Sequence, residues 1–200
     1  MDPTVCEAPL ARPSCDIFGQ LARDRILFLC EDIDVAMSTT LVAHLLWLEK
    51  QAPDEEIKIY INSAGGTISN GLMTIYDTLQ HIKTPIKTIC IGEAYSGAAV
   101  ILASGTKGKR FAYQNAEIMI HAVQVSNISG SQTEVEKESK RLKILNQSLM
   151  ELISKHTGQS LTKIKKDCRE DKYFTAKEAL DYGLIDAIIK PNKKAAARKK

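Results

Sequence analysis

From about residue 25 to residue 189, stretches that read as buried strands alternate with stretches that read as helices, and this alternation limits the fold more than any other feature. The clearest unit spans residues 57–82. Ile57, Ile59 and Ile61 alternate with Lys58 and Tyr60 at the period of a half-buried strand. The turn Asn62 to Gly66 (NSAGG) follows, and then Ile68, Leu72, Ile75, Tyr76, Leu79 and Ile82 mark one face of a helix. Before this unit, Arg25 to Cys30 reads as a buried strand. Val35 to Gln51 reads as a helix with Leu41, Val42, Leu45, Leu46 and Leu48 at helical spacing. After it, Pro85 closes the helix, Ile86 to Ile91 is a strand, Gly92 to Tyr95 a turn, and Ser96 opens an apolar helix to about Ala103. Ile118 to Ile120 is a short strand ending at His121. Ser131 and Glu134 form a capping box for a long helix with a seam at Leu142, Leu145, Leu149 and Leu152. Thr175 and Glu178 form a second box, Gly183 stops that helix, and Leu184 to Ile189 is the last strand. The pattern predicts an α/β domain.

With 200 residues, 44% hydrophobic and 26% charged, the chain fits one soluble globular domain. Its net charge of +3 comes largely from the tail, where six of the eleven residues Lys190 to Lys200 are basic, so the body carries no signature of a nucleic-acid binder. The tail lacks aromatics and reads as a solvated end rather than a phosphate-binding element. No run of eighteen apolar residues marks a membrane span, and the first sixteen residues do not read as a secretory signal. Five scattered cysteines, Cys6, Cys15, Cys30, Cys90 and Cys168, show no metal-ligand spacing; Cys30 and Cys90 read as core. A reducing compartment, the cytoplasm, is the expectation.

Four segments carry chemistry. In TICIGEAYSGAA a strand runs into a serine among small residues where a helix begins, an arrangement that lifts a hydroxyl out of a sheet and sets backbone N–H groups beside it. A serine at a helix start is also the ordinary N-cap. NSAGG is a plain turn or, functionally, an oxyanion hole built from fixed N–H groups. In IMIHAV, His121 stands at a strand end where a general base is useful. In CREDKYFTAKEA, Asp171 precedes a capped helix. An imidazole that takes a serine proton needs an acceptor to hold its tautomer, and Asp171, Asp167 and Asp181 all remain open for that role.

Taken together, the segments YINSAGG, IYDTLQHIK, TICIGEAYSGAA, GTKGKRF, IMIH, HTGQSL and DKYFTAKEALDYGLID resemble the proteolytic subunit of the Clp protease, from about Asp16 to Ile189. The resemblance implies a crotonase-like spiral of ββα units with a projecting handle helix at about 122–156, an axial arm at 1–15, a peptidase domain at 16–189 and a basic tail at 190–200. It implies Ser96 as nucleophile, His121 as base and Asp171 as the acid that orients it. The oxyanion donors would be the backbone N–H groups of Gly66 and Gly97. It further implies two stacked seven-membered rings that degrade unfolded proteins fed by an AAA+ unfoldase. ATP is used by that partner and no cofactor binds this chain. Relatives occur in plastids as well as in the cytoplasm.

Several positions depart from the family pattern. Ala64 stands where relatives have proline, Tyr95 and Gly97 flank the serine where they have alanine and methionine, and Ala122-Val123 follows His121 with a one-residue insertion after it. Glu170 replaces an arginine, and Lys58 and His81 fall where relatives present apolar surface to the unfoldase. A non-catalytic subunit of a mixed ring is therefore a second expectation. An acyl-CoA enzyme on the same fold is a third, and the serine context argues against it.

Overall fold

The computed structural model describes residues 17–125 and 127–191. The expected arm at 1–15 and nearly all of the basic tail lie outside the described residues.

A mixed, mainly parallel sheet with flanking helices organises the chain. Its strands are β1 (Ile26–Leu29), β2 (Ile57–Ser63), β3 (Ile86–Tyr95), β4 (Arg110–Tyr113), β5 (Glu117–Ile120), β6 (Lys172–Thr175) and β7 (Ala187–Ile189). The order is β1-β2-β3-β4-β7, all parallel, with β5 pairing β3 in parallel and β6 in antiparallel fashion. Parallel neighbours need crossovers, and helices supply them. These are α2 (Val35–Gln51), a π-helical turn Ile68–Leu72 running into α3 (Met73–His81), and α4 (Gly97–Ala103). α1 (Ile17–Arg23) precedes β1, α5 (Gln132–Thr157) and α6 (Leu161–Asp167) lie between β5 and β6, and α7 (Ala176–Tyr182) lies between β6 and β7.

The helix boundaries follow from local chemistry. Asp34 caps α2 by accepting from Met37 N. Both predicted capping boxes are complete, Ser131 with Glu134 on α5 and Thr175 with Glu178 on α7, and left-handed glycines Gly158 and Gly183 end those helices. The core fills from one side of β2, α2 and α3. Ile57, Ile59 and Ile61 are fully buried, with Leu41, Leu45 and Leu48 of α2 and Ile75 and Leu79 of α3. Every residue of α4 is buried. Leu46 is 48% exposed and so stands off the predicted seam of α2.

Two expectations are corrected. The turn predicted at Gly92 to Tyr95 is the continuation of β3, held extended because the strand changes partner there. Thr88, Ile89 and Cys90 pair with β4, whereas Glu93, Ala94 and Tyr95 pair with β5. Cys30 is exposed, because β1 ends at Leu29, whereas Cys90 is buried as expected.

On α5 the buried residues are Leu149, Met150 and Ile153, all in its C-terminal half. Arg110 ties this end to the sheet: its side chain is 6% exposed, forms a two-pronged pair with Asp186, and donates to the carbonyls of His156, Gly183 and Ala103.

Candidate active site

Three adjacent strands place the three candidate residues in a row. Tyr95 of β3 pairs with Met119 of β5, and Ser96 N donates to Met119 O at 2.9 Å, so Ser96 and His121 emerge from neighbouring strand ends. Ile120 of β5 pairs with Lys172 of β6, and one further step in this antiparallel register sets Asp171 across from His121. His121 Nδ1 lies 3.5 Å from Asp171 Oδ1. The other two acids that the residues alone left open are engaged elsewhere. Asp167 pairs with Lys163 at 2.7 Å and Lys172 at 2.8 Å and accepts from Tyr182 at 2.7 Å, whereas Asp181 pairs with Lys177. Burial pushes the Asp167 carboxyl up, but the hydrogen bonds from Lys163, Lys172 and Tyr182 outweigh it and hold the group well below the ordinary carboxylate range.

Ser96 is not an ordinary N-cap. Its backbone sits at φ 53°, ψ −120°, outside the extended region that caps occupy, and its side chain makes no capping hydrogen bond. A non-glycine residue held there costs on the order of 1–3 kcal/mol, and such strain concentrates where a side chain must be aimed. The register between Ser96 and β5 supplies the constraint. The NSAGG turn supplies the space: at Gly65 (φ +99°) a Cβ would lie 2.7 Å from Ser96 Cβ and 2.8 Å from Tyr95 O.

The same turn presents a donor. Ile33 N donates to Gly65 O at 2.7 Å and Thr67 N donates to Ile33 O at 2.8 Å, a parallel bridge in which the N–H of Gly66 points away from Ile33. A Cβ on Gly66 would lie 2.3 Å from Ile33 O, so only glycine lets the two segments approach this closely. Gly97 is the first residue of α4, and its N–H is one of the helix donors without an intrahelical acceptor. Ser96, His121, Gly66 and Gly97 all line one cavity of about 750 Å³, whose other walls include Ile33, Ile68, Leu72, Val123, Leu145 and Leu149. That is the size and character of a site that takes an apolar side chain beside a few fixed polar groups.

No thiol competes as nucleophile among the described residues. Burial pushes Cys90 up to about 12 and Cys168 up to about 11, and it raises Cys30 as well, so the thiolate is scarce at neutral pH. His156 is held at a distance from this chemistry. Burial lowers it to about 4, aided by the neighbouring Lys155 and Arg110 charges, and its Nε2 lies 2.9 Å from the Tyr76 hydroxyl.

One residue in contact with the site escaped the sequence reading. Gln124 Nε2 donates to Asp171 Oδ1 at 3.2 Å across 47 positions of sequence. Nothing local to Gln124 signals that contact. Beside Ser96, the Tyr95 hydroxyl donates to Glu117, and that hydrogen bond raises the phenol above its ordinary range.

Cavity, strained serine, histidine at a strand end and backbone donors are the parts that a hydrolase of the serine-protease type uses. The chain matches the Clp protease family model over residues 11–192, and it belongs to that family. Its activity class is therefore proteolysis.

Proposed function

We propose that this chain is the proteolytic subunit of an ATP-dependent Clp protease, with Ser96 as nucleophile, His121 as general base and Asp171 as the acid orienting the base. The observation that carries the reading is that Ser96, His121, Gly66 and Gly97 line one cavity, with the Gly66 N–H turned away from Ile33 and the Gly97 N–H without an intrahelical acceptor. With Nδ1 turned toward Asp171, Nε2 of His121 is the nitrogen left to take the Ser96 proton. The Ser96 oxygen then attacks the peptide carbonyl, and the charge on its oxygen meets the Gly66 and Gly97 N–H groups. His121 returns the proton to the leaving amine, and water releases the acyl group by the same route. Loss of one oxyanion donor in such a site costs roughly 10²–10³ in rate.

The largely exposed N-terminal half of α5, where Ile144 is 67% exposed, suits a handle that packs on another subunit. The assembly is then two stacked seven-membered rings, and an AAA+ unfoldase spends ATP to feed unfolded chains inward. Free thiols at Cys30, Cys90 and Cys168 suit a reducing compartment, the cytoplasm or a plastid.

A second reading, a weakly active subunit of a mixed ring, is favoured by one observation: Asp171 is hydrogen-bonded to Gln124 while His121 Nδ1 has no hydrogen-bond partner. Hydrolysis of a fluorogenic peptide by the purified homomeric particle separates the two. Turnover that disappears in Ser96→Ala supports the first reading, and a particle that turns over only after mixing with a paralogous subunit supports the second.

A further inference from the structure

His121 Nδ1 is buried and has no hydrogen-bond partner, although a carboxylate stands 3.5 Å away. A buried imidazole N–H beside an acceptor ordinarily closes that gap, since an unsatisfied polar group is costly and a charged acceptor is among the strongest available. Something holds the carboxylate back. Asp171 is 42% exposed, so packing does not pin it. The group that bonds the same oxygen, Oδ1, is the side-chain amide of Gln124 at 3.2 Å.

Gln124 is well placed to act as a restraint. The backbone just before it is tied on two sides: Ala122 N donates to Cys168 O at 2.9 Å, and Val123 N donates to Asn146 Oδ1 at 3.0 Å. The reach of its side chain is therefore set by the fold. Gln124 is also among the residues that line the cavity that holds Ser96 and His121, whereas Asp171 is not. A peptide laid in that cavity therefore comes within reach of Gln124 and not of Asp171.

We propose that Gln124 is a positioning residue that holds Asp171 off His121 while the cavity is empty, and that an occupying peptide chain releases the carboxylate by taking the Gln124 amide for itself. The inference rests on the catalytic reading above. It makes His121 a poor base in the empty site and a competent one in the filled site, which restrains an idle nucleophile.

The test is the rate of Ser96 modification by a small alkyl fluorophosphonate that carries no peptide, measured to saturation on the assembled full chain. Gln124→Ala should raise the maximal rate roughly three- to tenfold, the worth of one hydrogen bond, and leave the half-saturating concentration unchanged. Gln124→Glu keeps the shape and loses the donor, so it should accelerate as well; a role in packing alone would slow Ala and leave Glu like the wild type. In an Asp171→Asn background both gains should vanish. Unchanged or slower modification in Gln124→Ala and Gln124→Glu, with Asp171→Asn still impaired, overturns the restraint and leaves the triad standing. Equal rates in wild type and Asp171→Asn remove Asp171 from the mechanism and the restraint with it. Absence of Ser96 modification in every form overturns both.

Discussion

Ser96 keeps a positive φ because the residues around it leave no alternative, and Gly65 is the neighbour that makes the conformation possible. Gly65→Ala places a methyl against Ser96 Cβ and Tyr95 O and at the same time strains its own backbone at φ +99°. Strain and overpacking together should lower unfolding stability by about 2–4 kcal/mol. A displaced hydroxyl should cut Ser96 modification about 100-fold. Gly108 provides the control, since it has φ +85° with open space around it, and Gly108→Ala should show about 1–2 kcal/mol of backbone cost and normal modification. Denaturant unfolding and the modification rate, measured on both variants, check this. A fall in rate for Gly65→Ala no larger than for Gly108→Ala would contradict the account. The serine itself was legible in the sequence as a hydroxyl at a strand–helix junction, but an N-cap fitted that junction equally well. What separates them is a φ value imposed by pairing with a strand 23 residues later, at Met119, and no local pattern encodes it. Gln124 is the same problem in stronger form, a polar residue whose partner is chosen by the fold.

At the scale of elements, long segments with regular period were legible, and so were short ones marked by an apolar run or a cap, such as β1, β5, α4 and α7. α2 spans Val35–Gln51 as predicted, and the boxes at Ser131 and Thr175 start their helices because each satisfies end groups locally. β4, β6, α1 and α6, of four to seven residues, carry too few apolar positions to show a period. β6 matters most, since its antiparallel register is what sets Asp171 against His121. The C-terminal end of α5 carries a titration of its own. Lys155 Nζ donates to the Tyr76 oxygen at 3.2 Å, so the Tyr76 O–H is directed to His156 Nε2, which accepts only while the ring is neutral. Burial and the Lys155 and Arg110 charges depress His156 in the folded chain to about 4, below the ordinary value near 6.5. The depressed group contributes stability that is complete above about pH 6.5 and is lost as pH falls toward 4. Unfolding stability should therefore drop by about 1–2 kcal/mol over that window once solvent screening is allowed for, and His156→Gln should flatten the slope. Denaturant titrations at several pH values read this directly, and an unchanged slope in His156→Gln would show that the burial of His156 is not what couples α5 to pH.

For the whole molecule, the α/β class was visible from alternation alone, but the way the sheet divides was not. Along one edge β3 pairs first with β4 and then with β5, and the residues just past its end, Ser96 and Gly97, line the cavity. Hydrophobic periodicity sees a strand and a small-residue stretch there, not a change of partner. On the proposed function, this folding pattern activates one hydroxyl among all those in the chain. The measurement that tests it most directly is intact mass of the purified, assembled chain after a fluorophosphonate probe, with Ser96→Ala alongside. A single adduct on the wild type that maps to Ser96 and is absent from the variant is the result expected. An adduct that persists in Ser96→Ala, or none on a chain shown to be oligomeric, would contradict it.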